Sequence, residues 1–184
     1  MKTNVVSRSL HDVGLAAWFG GTLANAVALN KAASAASDSR SAGAVTNTGW
    51  DAWTPVNAAA IGAHLVGSVG QLSGNKSRIF SQQGVGAMSV VKTVVTVAAL
   101  GATGYSRVLG SKISKHGDVP VAAGTEPHPA TPPEVAKAQA QLKQLQWAIP
   151  ALTGVLLVIS SFAGEQQRPT SVLSGVTDRL GITG

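Results

Sequence analysis

The stretch "VNAAAIGAHLVGSVGQL", residues 56 to 72, decides the fold. Its apolar residues suit a lipid environment, yet Asn57, His64, Ser68 and Gln71 interrupt it. Those four lie at offsets 0, 7, 11 and 14, which return to nearly one face of an α-helix. A membrane-grade helix with one polar face must turn that face away from hydrocarbon, because an unpaired polar group there is costly. The segment therefore predicts a transmembrane helix packed against others.

Three more blocks approach the roughly 20 residues an α-helix needs to cross a bilayer. The expected spans are Leu10–Leu29, Trp53–Leu72, Ala87–Leu109 and Leu145–Ala163. Backbone groups in lipid must pair within the segment, so the fold class expected is all-α, an integral membrane four-helix bundle. Composition agrees: of 184 residues only 12% are charged and 45% are hydrophobic, and the apolar ones come in blocks. With no cysteine, disulfides, thiolate metal sites and a thiol nucleophile are excluded. The net charge of +6 is carried by scattered Lys and Arg without a basic stripe, so no nucleic acid is expected as a partner.

Residues 1–168 read as a single four-span domain and 169–184 as a flexible tail. Lys2 and Arg8 ahead of the first block, with "AASAAS" after it, also fit a cleaved signal peptide, but three further apolar blocks favour a retained span. Four spans put both termini and the 73–86 connection on one side, called side A, and loops 30–52 and 110–144 on side B. Lys and Arg are tied between the two sides, so the longer, mixed side B loops decide the expectation: termini cytoplasmic, in the plasma membrane. Trp50, Trp53, Tyr105 and Trp147 all fall at side B ends, as an interfacial aromatic belt would. Lys92 and Arg107 bracket residues 93–106, about 21 Å of helix, so each must snorkel outward or face protein.

The 110–144 loop starts Gly/Pro-rich and changes character at Thr131. Thr131 is a capping residue, Pro132 or Pro133 suits the first turn, and "EVAKAQAQLKQLQ" favours a helix running into the fourth span, kinked by Pro150. His116 and His128, with Asp118 and Glu126, read as solvated loop residues.

The other spans carry polar faces too: His11, Trp18, Thr22 and Asn25; Lys92, Thr96, Ala99, Thr103 and Ser106; Gln146, Thr153 and Ser160. Small residues four apart, Gly20, Ala24 and Ala28 in the first span and Ala59, Ala63 and Gly67 in the second, would let backbones approach. His64 is then expected to be bonded across helices to Thr22, Asn25, Thr96 or Thr103. His11 at the side A mouth and His64 deep in the second span would differ in depth by roughly 14 Å, too far to share a ligand. Asp12, adjacent to His11, should point about 100° away and form no dyad with it.

No phosphate loop, GxSxG elbow or HExxH helix is present, so no catalytic residue, metal or cofactor is expected. The candidate ligand-binding residues are His64, Asn57, Lys92, His11 and Asn25. Several stretches, "SRSLHDVGLAAWFGG", "WTPVNAAAIGAHLVG", "GYSRVLG", "GDVPVAAGTEP" and "TPPEVAKAQAQLKQLQWAIPALTG", resemble a group of uncharacterised multi-pass membrane proteins of actinobacteria. The piece around His11, Trp18, Gly20 and Gly21 is similar to copper-resistance D-type membrane proteins, without a Met-rich or Cys ligand set beside it. Both resemblances imply membrane location. The function expected is a non-catalytic structural or accessory subunit of a membrane assembly, partnered by another membrane protein or by itself. The alternative is a binder or transporter of a lipid, quinone or small solute.

Overall fold

The computed structural model describes residues 5–74, 85–117 and 119–165. Helix α1 (Val5–Ala24) passes through a π-helical turn (Asn25–Leu29) into α2 (Asn30–Ser34), forming one continuous rod. Helix α3 (Ser39–Gly74), α4 (Val85–Ser114) and α5 (Pro133–Glu165) follow, with strands β1 (Val121–Ala123) and β2 (Glu126–Pro127) between α4 and α5. The structure is thus mostly helical with four long rods, and it adds a two-stranded antiparallel hairpin to the all-α expectation. Val5–Ser34, Gly86–Ser114 and Pro133–Glu165 are long and apolar enough to cross a membrane. Helix α3 falls short of the same apolarity, because Asn57, His64, Ser68 and Gln71 lie within its most apolar part.

The helices outrun the apolar blocks that reveal them. Residues 30–52, expected as a loop, are α2, a turn and the first part of α3, because "SRSAGAVTNTGW" needs no apolar run to stay helical once anchored. The anchor is Asp38: its Oδ1 accepts from the backbone N–H groups of Arg40 at 2.9 Å and Ser41 at 3.0 Å, and its Oδ2 accepts from the Ser41 hydroxyl at 2.7 Å. These bonds favour the carboxylate and hold the Asp38 pKa down at about 2.

The helix expected from the Thr131 region begins at Pro133 and runs through Pro150 to Glu165. Thr131 serves it differently from a cap: its hydroxyl donates to the Pro120 carbonyl at 2.6 Å and accepts from the His128 N–H at 2.8 Å, tying the end of the hairpin segment to its start. Buried Gln139 donates to the carbonyls of Ala123 at 3.1 Å and Gly124 at 3.3 Å, which seats the hairpin on α5. Leu109, Ile113, Val135 and Ala138 form a small core beneath it.

Rod directions follow from their contacts. Along α1 and α3, Ser7 meets Gly70, His11 meets Gly67, Gly14 meets Ala60 and His64, and Gly21 meets Trp53, so numbers rise in one as they fall in the other. Phe19 against Gly154 and Arg8 against Gly164 make α1 antiparallel to α5. Tyr105 with Gln141 and His116 with Glu134 make α4 antiparallel to α5. The central core is Leu15, Trp18, Ala99, Ile149 and Leu156.

The expected small-residue stripe on α1 is displaced, whereas on α3 Gly67 does meet α1. Gly20, Ala24, Ala28 and Ala59 are exposed, and a Cβ on Gly20 would meet nothing within 4 Å. Gly20 lies about 200° around the helix from Trp18, so it cannot share the face that Trp18 buries. The close approach is made by Gly14 on α1 and by Ala60 and Gly67 on α3: a Cβ on Gly67 would stand 2.3 Å from the His11 nitrogen and 2.5 Å from the Ser7 carbonyl oxygen. Gly67→Ala is expected to lower stability by about 1–3 kcal/mol through overpacking, with Gly20→Ala unchanged or slightly better. Thermal unfolding of the two variants in detergent measures the difference; equal melting points would refute this helix interface.

The α4–α5 end carries a pH-dependent clasp. Exposed His116 donates from Nδ1 to the Lys112 carbonyl at 2.8 Å and from Nε2 to Glu134 at 2.6 Å, and these bonds, the carbonyl first, raise its pKa above the ordinary 6.5. Both bonds at once require the imidazolium. Its contribution is complete below pH 6.5 and is lost as pH rises through the raised folded value. Hydrogen exchange of the hairpin amides is expected to speed up over that window, and Glu134→Gln should narrow the window toward 6.5.

Candidate functional site

At the side A end, the α1–α3 contact sets two histidines side by side. Glycine at positions 14 and 67 removes the side chains that would hold the backbones apart, so the His11 and His64 rings meet at 4.5 Å between centroids, tilted by 45°. Each residue is about 1% exposed. His64 Nδ1 lies 3.3 Å from the His11 carbonyl and donates to it, and the His64 ring faces Trp18 at 6.1 Å. Among the described residues, His64 Nε2 is buried with no hydrogen-bond partner.

His11 is engaged at both ring nitrogens. Nδ1 is 2.7 Å from Asp12 Oδ1, and Nε2 is 3.2 Å from Lys92 Nζ of α4. An ammonium has no acceptor capacity, so with a charged Lys92 the Nε2 atom accepts, and the proton on Nδ1 is donated to Asp12. Asp12 is half exposed and also faces Arg8 at 3.9 Å. Two turns further along α1, Trp18 Nε1–H donates to Thr103 Oγ1 at 3.2 Å, a second bond between α1 and α4.

Three of the five expected site residues therefore come together: His64, Lys92 and His11. Asn57 and Asn25 do not. Asn57 is half-buried two turns from His64, with Oδ1 unpartnered, and Asn25 opens the π-helical turn toward side B. The expected depth gap between His11 and His64 is overturned by their ring contact. The register is fixed by Gly14 and Gly67, and α1 starts at Val5 rather than at the first residue of the apolar block.

None of the four expected partners bonds His64. Thr22 donates to the Trp18 and Phe19 carbonyls, Thr96 donates to the Lys92 carbonyl, and Thr103 accepts from Trp18, following the tendency of helix hydroxyls to bond one turn back. Asp12, expected to point away, reaches His11 because Nδ1 sits close to its own backbone. Asp12 is the member absent from the expected site, and the adjacency of "HD" was its only signal; Thr103, expected as a partner of His64, pairs with Trp18 instead.

Among the described residues no three His, Cys, Asp or Glu side chains gather into a metal set. With the two rings in contact, no planar group fits between them. What the cluster can do is hold a proton and pass it along the amine, imidazole and carboxylate of Lys92, His11 and Asp12, which are linked by hydrogen bonds, with His64 packed against the middle ring.

A second feature lies at the side B end. Trp50, Ile113, Leu142 and Ile149 line an apolar pocket between α3, α4 and α5, with Asn47 and Arg107 also contributing. Arg107 is paired with Asp51 of α3 at 3.2 Å. Comparison of the chain with protein-family models, with curated proteins and with solved structures finds no match.

The two buried aromatics of the site should differ sharply on truncation. His64→Leu loses one long bond and removes an unpaired acceptor, so about 1 kcal/mol or less of stability should go. Trp18→Ala empties a fully buried site and loses the Thr103 bond, and about 3–5 kcal/mol is expected. Denaturant titration of both variants in the same micelle gives the comparison; a larger loss for His64→Leu would contradict the geometry.

Proposed function

We propose that the protein is a four-span helix bundle of the plasma membrane and acts as a non-catalytic structural or accessory subunit of a membrane assembly. The observation that carries this reading is the bare apolar face of α4. Only 6% of its most apolar window is buried within the chain, against 28% and 22% for the other two apolar rods. Val90, Val94, Val97 and Val108 are each more than half exposed, and Gly101 and Gly104 meet nothing within 4 Å.

These six positions advance by alternating steps of four and three, the spacing of a helix–helix seam. Valine and glycine along it leave room for another helix to come close, which is how helices associate in lipid. A membrane-protein partner or a second copy of this chain is the expected occupant. The likeness of "SRSLHDVGLAAWFGG" and "WTPVNAAAIGAHLVG" to multi-pass proteins of actinobacteria supports the setting, and Lys and Arg placement supports cytoplasmic termini no more than the reverse. The length and mixed polarity of the side B segments favour their export.

The apolar side B pocket favours a second reading, a binder or carrier of a lipid, quinone or small solute, with the ligand near Trp50 and Ile149 rather than at His64. Thermal-shift screening against those three classes tests it, since a pocket ligand should raise the melting point of the native chain and lose that effect in Ile149→Trp.

Purification in mild detergent followed by mass measurement tests the leading reading. An assembly larger than one chain is expected, and Gly101→Leu with Gly104→Leu should reduce it to the monomer. A native chain that runs as a lone monomer under those conditions defeats the proposal. The absence of cysteine makes topology easy to read: single cysteines at Ser37 and Ala122, both exposed, should react with an impermeant maleimide added outside intact cells.

A further inference from the structure

The side A cluster is over-equipped for holding helices together. One hydrogen bond from His64 to the His11 carbonyl would join α1 to α3, and the Trp18–Thr103 bond already joins α1 to α4. Lys92, His11 and Asp12 form something more: a continuous line of hydrogen bonds, 3.2 Å and 2.7 Å long, from a half-buried amine through a buried imidazole to a half-exposed carboxylate.

We propose that Lys92, His11 and Asp12 form a proton relay that exchanges a proton between the Lys92 amine and side A water without opening the helix packing. Among the described residues, the titratable and charged groups at this end are Arg8 and Asp12 on α1, His64 on α3, Lys92 on α4 and Glu165 at the end of α5, next to the Gly164 that Arg8 approaches.

The relay follows from counting donors. Nε2 and Nδ1 of His11 each face one partner, and the line holds one proton beyond its fully deprotonated reference. With that proton on Lys92, the ammonium donates to Nε2, and Nδ1–H donates to the Asp12 carboxylate. With it on His11, the imidazolium donates both ways, to the Lys92 lone pair and to the carboxylate. With it on Asp12, the carboxylic acid donates to Nδ1, and Nε2–H donates to the neutral amine. All three states keep both hydrogen bonds.

Passing between the first and last moves two protons and creates none. The Lys92 N–H bond breaks as the His11 Nε2 lone pair takes the proton. The Nδ1–H bond then breaks as an Asp12 oxygen takes the other, leaving a neutral amine, the opposite imidazole tautomer and a neutral acid. Asp12, half exposed, then exchanges with water. His64 cannot replace His11 here, because its Nδ1 is committed to a carbonyl and its Nε2 has no partner.

The proposal holds whether or not a protein partner is found, and its test does not depend on one. The full chain is placed in lipid nanodiscs with nitrogen-15 in its His and Lys side chains and carbon-13 in its Asp carboxyls, and the resonances are followed with pH by NMR. The expected result is one shared transition of the Lys92 amine, both His11 ring nitrogens and the Asp12 carboxyl, with His64 unmoved in tautomer. In His11→Gln, whose amide bridges the gap but cannot change protonation, the Lys92 and Asp12 transitions should part by about one pH unit or more.

The Trp18 indole N–H, bonded to Thr103, reports that the helix packing of that variant is intact. Should His11→Gln lose that signal, Asp12→Asn carries the test from the surface: the His11 transition should move by about one pH unit or more. An unchanged His11 titration in Asp12→Asn overturns the relay. So does a native chain in which His11 keeps a single tautomer while Lys92 and Asp12 titrate separately.

Discussion

The rest of the structure depends on the backbone contact between α1 and α3 at Gly14 and Gly67. A Cβ on Gly14 would lie 2.4 Å from the Ala60 carbonyl oxygen and 2.6 Å from the His64 nitrogen, and one on Gly67 would be as close to His11. In a bilayer no hydrophobic force draws two helices together, so near contact between backbones supplies the dispersion attraction that does. Two glycines on opposite helices, each seated on the other's histidine, allow one register. That register brings the two rings into contact and aims His11 at α4.

Helix α4 is attached in a different manner. It has a continuous partner in α5, but it reaches α1 and α3 through side chains spaced along its length: Lys92 to His11, Thr103 to Trp18, Arg107 to Asp51. These long, directional contacts fix its height and rotation without drawing its backbone in. The opposite face is left free with its valines outward. A chain that spends its small residues on the α1–α3 contact and keeps Gly101 and Gly104 uncovered has two kinds of helix interface, one closed internally and one open.

Much of this was legible in the sequence. Four apolar blocks announced four helices, and the polar offsets on each picked the inward face: Trp18, Thr22, His64, Ala99 and Thr153 are all buried. What periodicity could not supply was the axial register. The expectation placed His11 and His64 at different depths by measuring from the ends of the apolar blocks, and those ends are not the ends of the helices. Choosing Gly20, Ala24 and Ala28 by their spacing also failed, since a spacing of four marks a row without saying which side it faces. The large residues Leu15 and Trp18 decide that. The side B segments were legible only from Thr131 onward, because the hairpin rests on one buried glutamine, Gln139, reaching backbone carbonyls sixteen and fifteen residues upstream.

The opening problem of a histidine inside an apolar helix is resolved by its neighbour. A lysine on an apolar helix is tolerable only where something accepts from its ammonium, and a hydrocarbon-facing position offers nothing. His11 accepts from Lys92 and hands the compensating charge to Asp12, which keeps its carboxylate at the surface where hydration is retained. The imidazole lets opposite charges be coupled without burying both, and burying both is where ion pairs lose most to desolvation. His64 completes the arrangement by bonding the His11 carbonyl and packing on its ring, holding the imidazole in place between the two. A single polar residue in this layer would be costly; Lys92, His11 and Asp12, of graded burial and hydrogen-bonded in line, lead from between the helices to water, with His64 as the inner wall.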